Sequence, residues 1–474
     1  MAWGIEYHWD MKTHILVSLV CLFASLSLGS EVDLHTHYVY RVEIMTPGGP
    51  LPFVMKTELR YDKSVSRMSG RPILVLVNGE ERIDAEPSKS ETSSYYEEQG
   101  YESHFIRRTH TQRTISFPQY DSELSWDQWT GFGLEPQATW AGFWKKRRGE
   151  AWVELPLLVT QLDWSTVPAD EQRFDKLPLM IPSSDGHPDG YTNEMLEQYS
   201  FEGRWSVDFE SSDELAVGVF AVDENQLATG TFLTTTGDYR FLSGRVDRGL
   251  MRLSTFDGAH AFLFHARLQD DGSIVGDFWS GNWHHETWTA VCDDDAQLPD
   301  AFEQTTVTDP EAIEELVFKD LDGTPTRVLD VLDRSGAKAR IIEIFGSWCP
   351  NCSDAGRELV SLKESFGDDL AIVGLAFEIT EDFGRSVEQV KRHHEHIGSD
   401  WPILIGGLYD KDKATETLGF LDRVRSYPTL VFLDEQNQVQ AVHSGFSGPA
   451  TGEAYTKQRV RFEELIRSAI ESDL

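Results

Sequence analysis

Two rhythms of apolar and polar residues divide this chain. Between residues 31 and 300 the alternation is short, as at 38–45 and 71–77, which suits half-buried strands. Turn-forming runs such as Pro47-Gly48-Gly49-Pro50 and Asn78-Gly79-Glu80-Glu81 separate these segments. Two polar stretches, 86–103 and 165–202, read as loops, and the second, rich in Pro, Asp and Gly, marks a boundary. Beyond it, 201–207 opens a new series of strands that includes 230–234, 239–246, 249–255, 260–265 and 276–279. Turns at such short intervals predict a barrel or sandwich.

Past residue 305 the rhythm changes. Segment 340–345 reads as a buried strand, and Ala355, Leu359, Leu362 and Phe366 then recur at helical spacing before a stop at Gly367. An apolar run at 370–377 suits a central parallel strand. A helix over 386–397, a short strand at 401–405 and a helix over 413–421 follow. The apolar run to Leu433, the turn Asp434-Glu435-Gln436-Asn437 and segment 438–443 form a hairpin. The last helix carries Val460, Phe462, Leu465, Ile466 and Ile470 on one face. A length of 474 residues fits about three domains. The expected fold class is multidomain: an N-terminal all-β (barrel or sandwich) region, 30–200 with a second β module at 201–300, then an α/β domain at 305–474.

The chemistry is concentrated in Trp348-Cys349-Pro350-Asn351-Cys352, where the apolar strand gives way to the helix. This places Cys349 at the helix N-cap and Pro350 at the first helical position, where a missing N–H costs nothing. Unpaired amides and the positive end of the helix dipole favour a thiolate at Cys349. Cys352 lies one turn on, placed to resolve a mixed disulfide. Half of a zinc site is the competing reading, but zinc needs two further ligands. Of the four cysteines, Cys21 falls in a leader-like segment and Cys292 stands alone beside Asp293, Asp294 and Asp295. His393, His394 and His396 read as solvated side chains of a polar helix. No metal and no separate cofactor is expected.

With these residues in view, 305–474 resembles a thioredoxin-like domain, most similar to the TlpA/ResA-type disulfide reductases of the bacterial cell envelope. Phe345-Gly346-Ser347-Trp348-Cys349-Pro350-Asn351-Cys352, Tyr427-Pro428-Thr429 and the helical insertion between them carry the resemblance. It implies a thioredoxin fold and a protein-disulfide reductase in which Cys349 and Cys352 are the redox pair. Pro428 would be the cis-proline beside the dithiol, with Tyr427 offering its backbone to an incoming polypeptide. Trp348, Tyr427 and Glu378 would face the substrate, Glu378 matching an acid near the dithiol of ResA-like proteins. Glu343, six positions ahead of Cys349, falls where thioredoxins carry a buried acid; desolvated there, it would take the Cys352 proton during resolution. The Pro350-Asn351 dipeptide departs from the common TlpA-like pattern, which puts proline next to the second cysteine. Dithiol potentials span roughly 150 mV with such local changes, so the direction of electron flow stays open. Asp354, just past the pair, should oppose thiolate formation slightly.

The resemblance extends loosely into the β region, where 230–234, 236–244 and 253–260 are similar to a module preceding the thioredoxin domain in some envelope TlpA-like proteins. Asp238, Arg240, Asp257 and His260 fit either a binding groove or turn, ion-pair and core roles. Trp283, His284, His285 and Trp288 are weaker candidates for a metal or sugar surface. A thiol peroxidase of the AhpC/TSA kind shares this fold. Its threonine or serine three residues before the cysteine and its proline seven before are replaced here by Gly346 and Ile342.

Context follows from the first 30 residues and the charge. Lys12 and His14 precede an apolar run at 15–24, and Ser27, Gly29 and Ser30 supply a cleavage context, so 1–29 reads as a secretory signal, an uncleaved anchor being the alternative. Val20 ahead of Cys21 does not fit a lipobox. Export to the periplasm or envelope would put the dithiol in an oxidising compartment, where a reductant is recharged by a membrane electron donor. The formal net charge of −37 argues against nucleic acid and anionic membranes as partners. The favoured function is an exported thiol–disulfide oxidoreductase acting on envelope-protein disulfides. The alternative is a β-region binding or scaffold protein whose dithiol is an accessory redox sensor.

Overall fold

Strands β1 (Thr36–Thr46), β2 (Gly49–Asp62), β3 (Arg67–Val75), β4 (Arg82–Asp84), β5 (Glu86–Gln99), β6 (His104–Phe117), β7 (Ser122–Gly131), β8 (Thr139–Arg148) and β9 (Ala151–Leu162) form one antiparallel sheet. Their order, β4-β3-β2-β1-β9-β8-β7-β6-β5, is an up-and-down meander joined by β1–β9, and β5 at its end comes back beside β3. The computed structural model behind this description covers residues 36–62, 67–75, 82–84, 86–99, 104–131, 139–149, 151–162, 200–224 and 226–471. The expected signal segment 1–29, the turn 78–81 and most of the boundary 165–202 lie outside these residues. Period-two alternation turns Trp140, Gly142 and Trp144 of β8 inward, beside Trp126, Val42 and Ile44. The polar stretch 86–103, expected as a loop, is instead largely strand β5, hydrogen-bonded to β6 along its length. Polarity misleads here because Ser, Thr and Tyr hold strand propensity that does not depend on an apolar face.

The second sheet closes on itself. Strands β10 (Gly203–Phe209), β11 (Ala216–Val222), β12 (Leu227–Thr234), β13 (Gly237–Asp238), β14 (Leu242–Asp247), β15 (Leu250–Phe256), β16 (Ala261–Leu268), β17 (Ile274–Ser280) and β18 (His284–Cys292) are all antiparallel. Pairing of β10 with β18 and of β11 with β12 closes the barrel, while β13 folds back on the end of β12. A barrel this small is filled by side chains. Here Trp205, Phe209, Phe232, Phe264, Phe278 and Trp288 fill it, with Phe264 stacked on Phe278 at 4.4 Å. The two sheets share a core at Phe256, which stacks on Phe53 at 4.7 Å and meets Trp144 edge-on at 5.4 Å.

The C-terminal sheet has the order β20-β19-β23-β22-β21-β24-β25, built from β19 (Val317–Asp320), β20 (Pro325–Arg327), β21 (Ala339–Phe345), β22 (Leu370–Glu378), β23 (Ile403–Leu408), β24 (Thr429–Leu433) and β25 (Val439–Ser444). Strands β21, β22 and β23 run parallel, and β24 and β25 add antiparallel. Every residue of β21 and β22 is buried, as expected of central strands covered on both faces. The covering helices are α1 (Val328–Asp333), α2 (Pro350–Phe366), α3 (Phe383–Ile397), α4 (Lys411–Leu418) and α5 (Glu453–Glu471). Helix α4 ends earlier than its apolar pattern predicts, because Gly419 takes the left-handed cap (φ 66°). Among the described residues, no helix is long and apolar enough to cross a membrane.

Candidate active site

The end of β21 delivers the chain to Cys349, the N-cap of α2, and Pro350 occupies the first turn. Both Cys349 and Cys352 are free thiols and buried. Their environments are opposed. A hydrogen bond from Cys352 holds Cys349 below the usual thiol range against its own burial, and the Cys352 and Asn351 amides and the Arg240 guanidinium add to the effect. Burial first, then the Cys349 charge, pushes Cys352 well up, and Glu343 adds to that push. One sulfur is thus set to attack and the other to hold its proton until resolution.

Glu343 lies on β21 beneath the pair, 1 % exposed, and burial raises its carboxyl to about 8 against a weak opposing contact with the Trp401 indole. Its charge, when present, is felt at Cys352 and raises that thiol further. Glu378 ends β22 and is also buried; it accepts from the Ser347 amide at 2.9 Å and the Ser347 hydroxyl at 2.7 Å. Burial brings it to about 7, opposed by the Ser347 bonds and Arg385. It therefore fastens the loop entering the dithiol. Trp348 donates to the Phe377 carbonyl at 3.0 Å and packs edge-on against Tyr427 and Tyr409. The Tyr427–Pro428 peptide bond is cis, and the Tyr427 carbonyl accepts from Cys349 Sγ at 3.5 Å.

Sequence reasoning missed how the β region meets this site. Arg240, just after β13, is buried and ion-paired with Asp354 on the second turn of α2. Its Nε lies 3.9 Å from Asp257, which in turn holds His260 at 3.1 Å. Asp238 accepts from the Gly448 amide at 2.6 Å, tying the barrel to the loop after β25. Of the four candidate residues of the β module, Asp238 and Arg240 thus have partners in the C-terminal unit, while Asp257 and His260 pair within the module; Asp238, Arg240 and His260 also line a cavity at Cys349. Asp354, expected to oppose the thiolate, has its charge offset by Arg240 and by Arg357 at 3.2 Å. The first sheet contributes as well: Tyr120 shares a 3.3 Å hydrogen bond with Ser353, and Asp121 pairs with Arg385 at 3.2 Å.

The link to Asn351 is the tightest. Gly237, at the tip of the β12–β13 hairpin, lies so close that a Cβ there would overlap the Asn351 amide. Alongside, Glu214 pairs with Arg425 at 2.5 Å, and Arg425 reaches Thr235 at 3.5 Å, so the barrel also holds the segment leading to Pro428. A cavity of about 280 Å³ remains between the hairpin and Cys349, lined also by Tyr239, His260, Phe262 and Trp348. Those last four residues also line a cleft of about 970 Å³ where the three sheets meet.

Other expectations need correction. His393 is fully buried and stacked on Phe345, its pKa lowered to about 3 by burial, and His396 bonds Arg357 at 2.7 Å; neither is a solvated face residue. Trp288 belongs to the barrel core, while His284 and His285 bond Glu286 and Asp277. Among the described residues no cluster could hold a metal ion.

Strand order, the dithiol at the head of α2 and the adjoining Pro428 loop define the C-terminal unit as thioredoxin-like. No known family model matches the chain. It is similar to the thioredoxin-like protein YneN of Bacillus subtilis, 29% identical over 113 residues, which are 24% of this chain and 59% of the relative. The match thus spans little more than half of that relative's length. Among solved structures, it is similar to a thioredoxin-family thiol:disulfide interchange protein from Chlorobium tepidum (19% identical, 33% of this chain, 92% of the other, TM-score 0.24). A DsbF homologue from Corynebacterium diphtheriae gives 18%, 35%, 93% and 0.25. The fold assignment rests on topology, not on those scores.

Proposed function

We propose that this chain carries out thiol–disulfide exchange, with Cys349 as attacking thiolate, Cys352 as resolving thiol and Glu343 as the proton acceptor beneath them. The observation that carries this is a pair of free thiols one turn apart at the start of α2, with Cys349 Sγ hydrogen-bonded to the Tyr427 carbonyl ahead of the cis Pro428. Trp348, Tyr427 and Pro428 pack beside the dithiol, and Glu378 holds the loop that leads into it. The TlpA-like resemblance supplies the finer reading: an exported reductase of envelope-protein disulfides, recharged by a membrane electron donor, with no further cofactor. Arg240 supports it by linking the β region to the thiolate rather than leaving the two as separate devices.

The test uses the reduced full chain and hydroxyethyl disulfide. Cys349→Ser should abolish oxidation, whereas Cys352→Ser should accumulate a mixed disulfide at Cys349 visible by mass spectrometry. Unimpaired oxidation of the Cys349→Ser chain would refute the scheme.

A further inference from the structure

We propose that the cleft where the three sheets meet is a binding site for small disulfides bearing carboxylates, and that these reach Cys349 more readily than the disulfides of folded proteins do. The inference rests on the thiol–disulfide reading and departs from the substrate class that the resemblance implies.

Two observations carry it. The first is the roof over the dithiol. Cys349 is 7 % exposed and Tyr427 6 %. The β12–β13 hairpin sits on Asn351 through Gly237, and Glu214 and Thr235 hold Arg425 beside the Pro428 loop. The face on which a partner polypeptide would pair with Tyr427 is therefore occupied by the protein's own barrel. What remains is the 280 Å³ cavity at Cys349, which shares Tyr239, His260, Phe262 and Trp348 with the larger cleft. At about 970 Å³ the cleft has the size of a small-molecule site.

The second observation is the charge of its far wall. In a chain of net charge −37, this cleft is lined by the consecutive cations Lys146, Arg147 and Arg148 of β8. Lys146 donates to the Ala259 carbonyl, and Arg148 lies over the Trp283 ring at 4.7 Å. The acids in the cleft are already engaged: Asp121 by Arg385, Glu286 by His284 and the Ser211 amide, and Glu378 by Ser347. A carboxylate-bearing ligand complements the cationic wall, and the aromatic floor accommodates its apolar part.

The step balances with the chain's own electrons. The Cys349 thiolate attacks one sulfur of R–S–S–R, forming a mixed disulfide and releasing RS⁻, which takes up a proton. Cys352 gives its proton to the Glu343 carboxylate and attacks the Cys349 sulfur, displacing the second RS⁻, which takes its proton from water. Two thiols leave, and the two electrons they carry come from the dithiol, which becomes the Cys349–Cys352 disulfide.

The experiment follows single-turnover oxidation of the reduced full chain by oxidised glutathione (anionic), cystamine (cationic) and insulin. Insulin should react about 100-fold more slowly per disulfide than oxidised glutathione, because the roof must open first. The exposed substitution Arg148→Glu should lower the glutathione-to-cystamine rate ratio by about 10-fold, an effect that shrinks in high salt. Insulin reacting as fast as oxidised glutathione, or an unchanged ratio in Arg148→Glu, would each overturn the proposal. Failure of all three disulfides to oxidise the wild-type chain would instead defeat the thiol–disulfide reading on which it rests.

Discussion

Glu343 has opposite consequences for chemistry and for stability. Burial raises its carboxyl from 4.5 to about 8, so the folded chain holds a proton there that the unfolded chain releases at much lower pH. The stabilisation linked to that proton is complete below about 4.5 and is lost as pH rises through about 8. Glu343→Gln should therefore flatten the decline in thermal midpoint between these limits relative to wild type, which scanning calorimetry across the range would show. The same substitution should slow release of the mixed disulfide by about 100-fold, the ordinary contribution of a placed base. Stopped-flow traces of the second step should also lose their inflection near pH 8. An equally slow second step in wild type would exclude the proton-transfer role. The position of this acid was implied by the resemblance to thioredoxins, which carry a buried acid at that place. The burial of His393 was not, because a polar helix sequence does not say which neighbour, here Phe345, covers one of its side chains.

The β12–β13 hairpin is the element on which access to the dithiol turns. A Cβ at Gly237 would overlap the side-chain amide of Asn351. Gly237→Val should displace that amide and, because the branched side chain needs more room than one swing provides, loosen the hairpin's seat on the Pro350-Asn351 turn at a cost of about 1–3 kcal/mol in stability, typical of overpacking. Alkylation of Cys349 by a bulky maleimide should then accelerate while that by small iodoacetamide changes little. Equal effects on both reagents would mean that the hairpin is not a roof. Strand periodicity announced β12, and the strand–CxxC–helix junction announced α2. Nothing in either pattern announced that they touch. Strand β5 was hidden for a different reason: its sequence is polar, and what defines it is main-chain pairing with β6.

For the molecule as a whole, a net charge of −37 means mutual repulsion among surface carboxylates in every compact state. The thermal midpoint should rise as sodium chloride increases from about 10 mM to about 500 mM, as screening shortens the reach of that repulsion. A midpoint that falls over this range would show that attractive pairs such as Arg385–Asp121 and Arg425–Glu214 outweigh it.

The architecture divides along the same line between near and far. The succession of strands and helices after residue 305 and the thiol at a helix start are local patterns. Periodicity, caps and spacing act over a few residues, so the linear chain was enough to specify them. Barrel closure by β10 and β18, the Arg240–Asp354 pair between residues 114 positions apart and the contact of Gly237 with Asn351 depend on segments that meet only after folding. Buried charges must find partners wherever packing supplies them. That is why the neutralisation of Asp354, and the narrowness of the way to Cys349, became visible only in three dimensions.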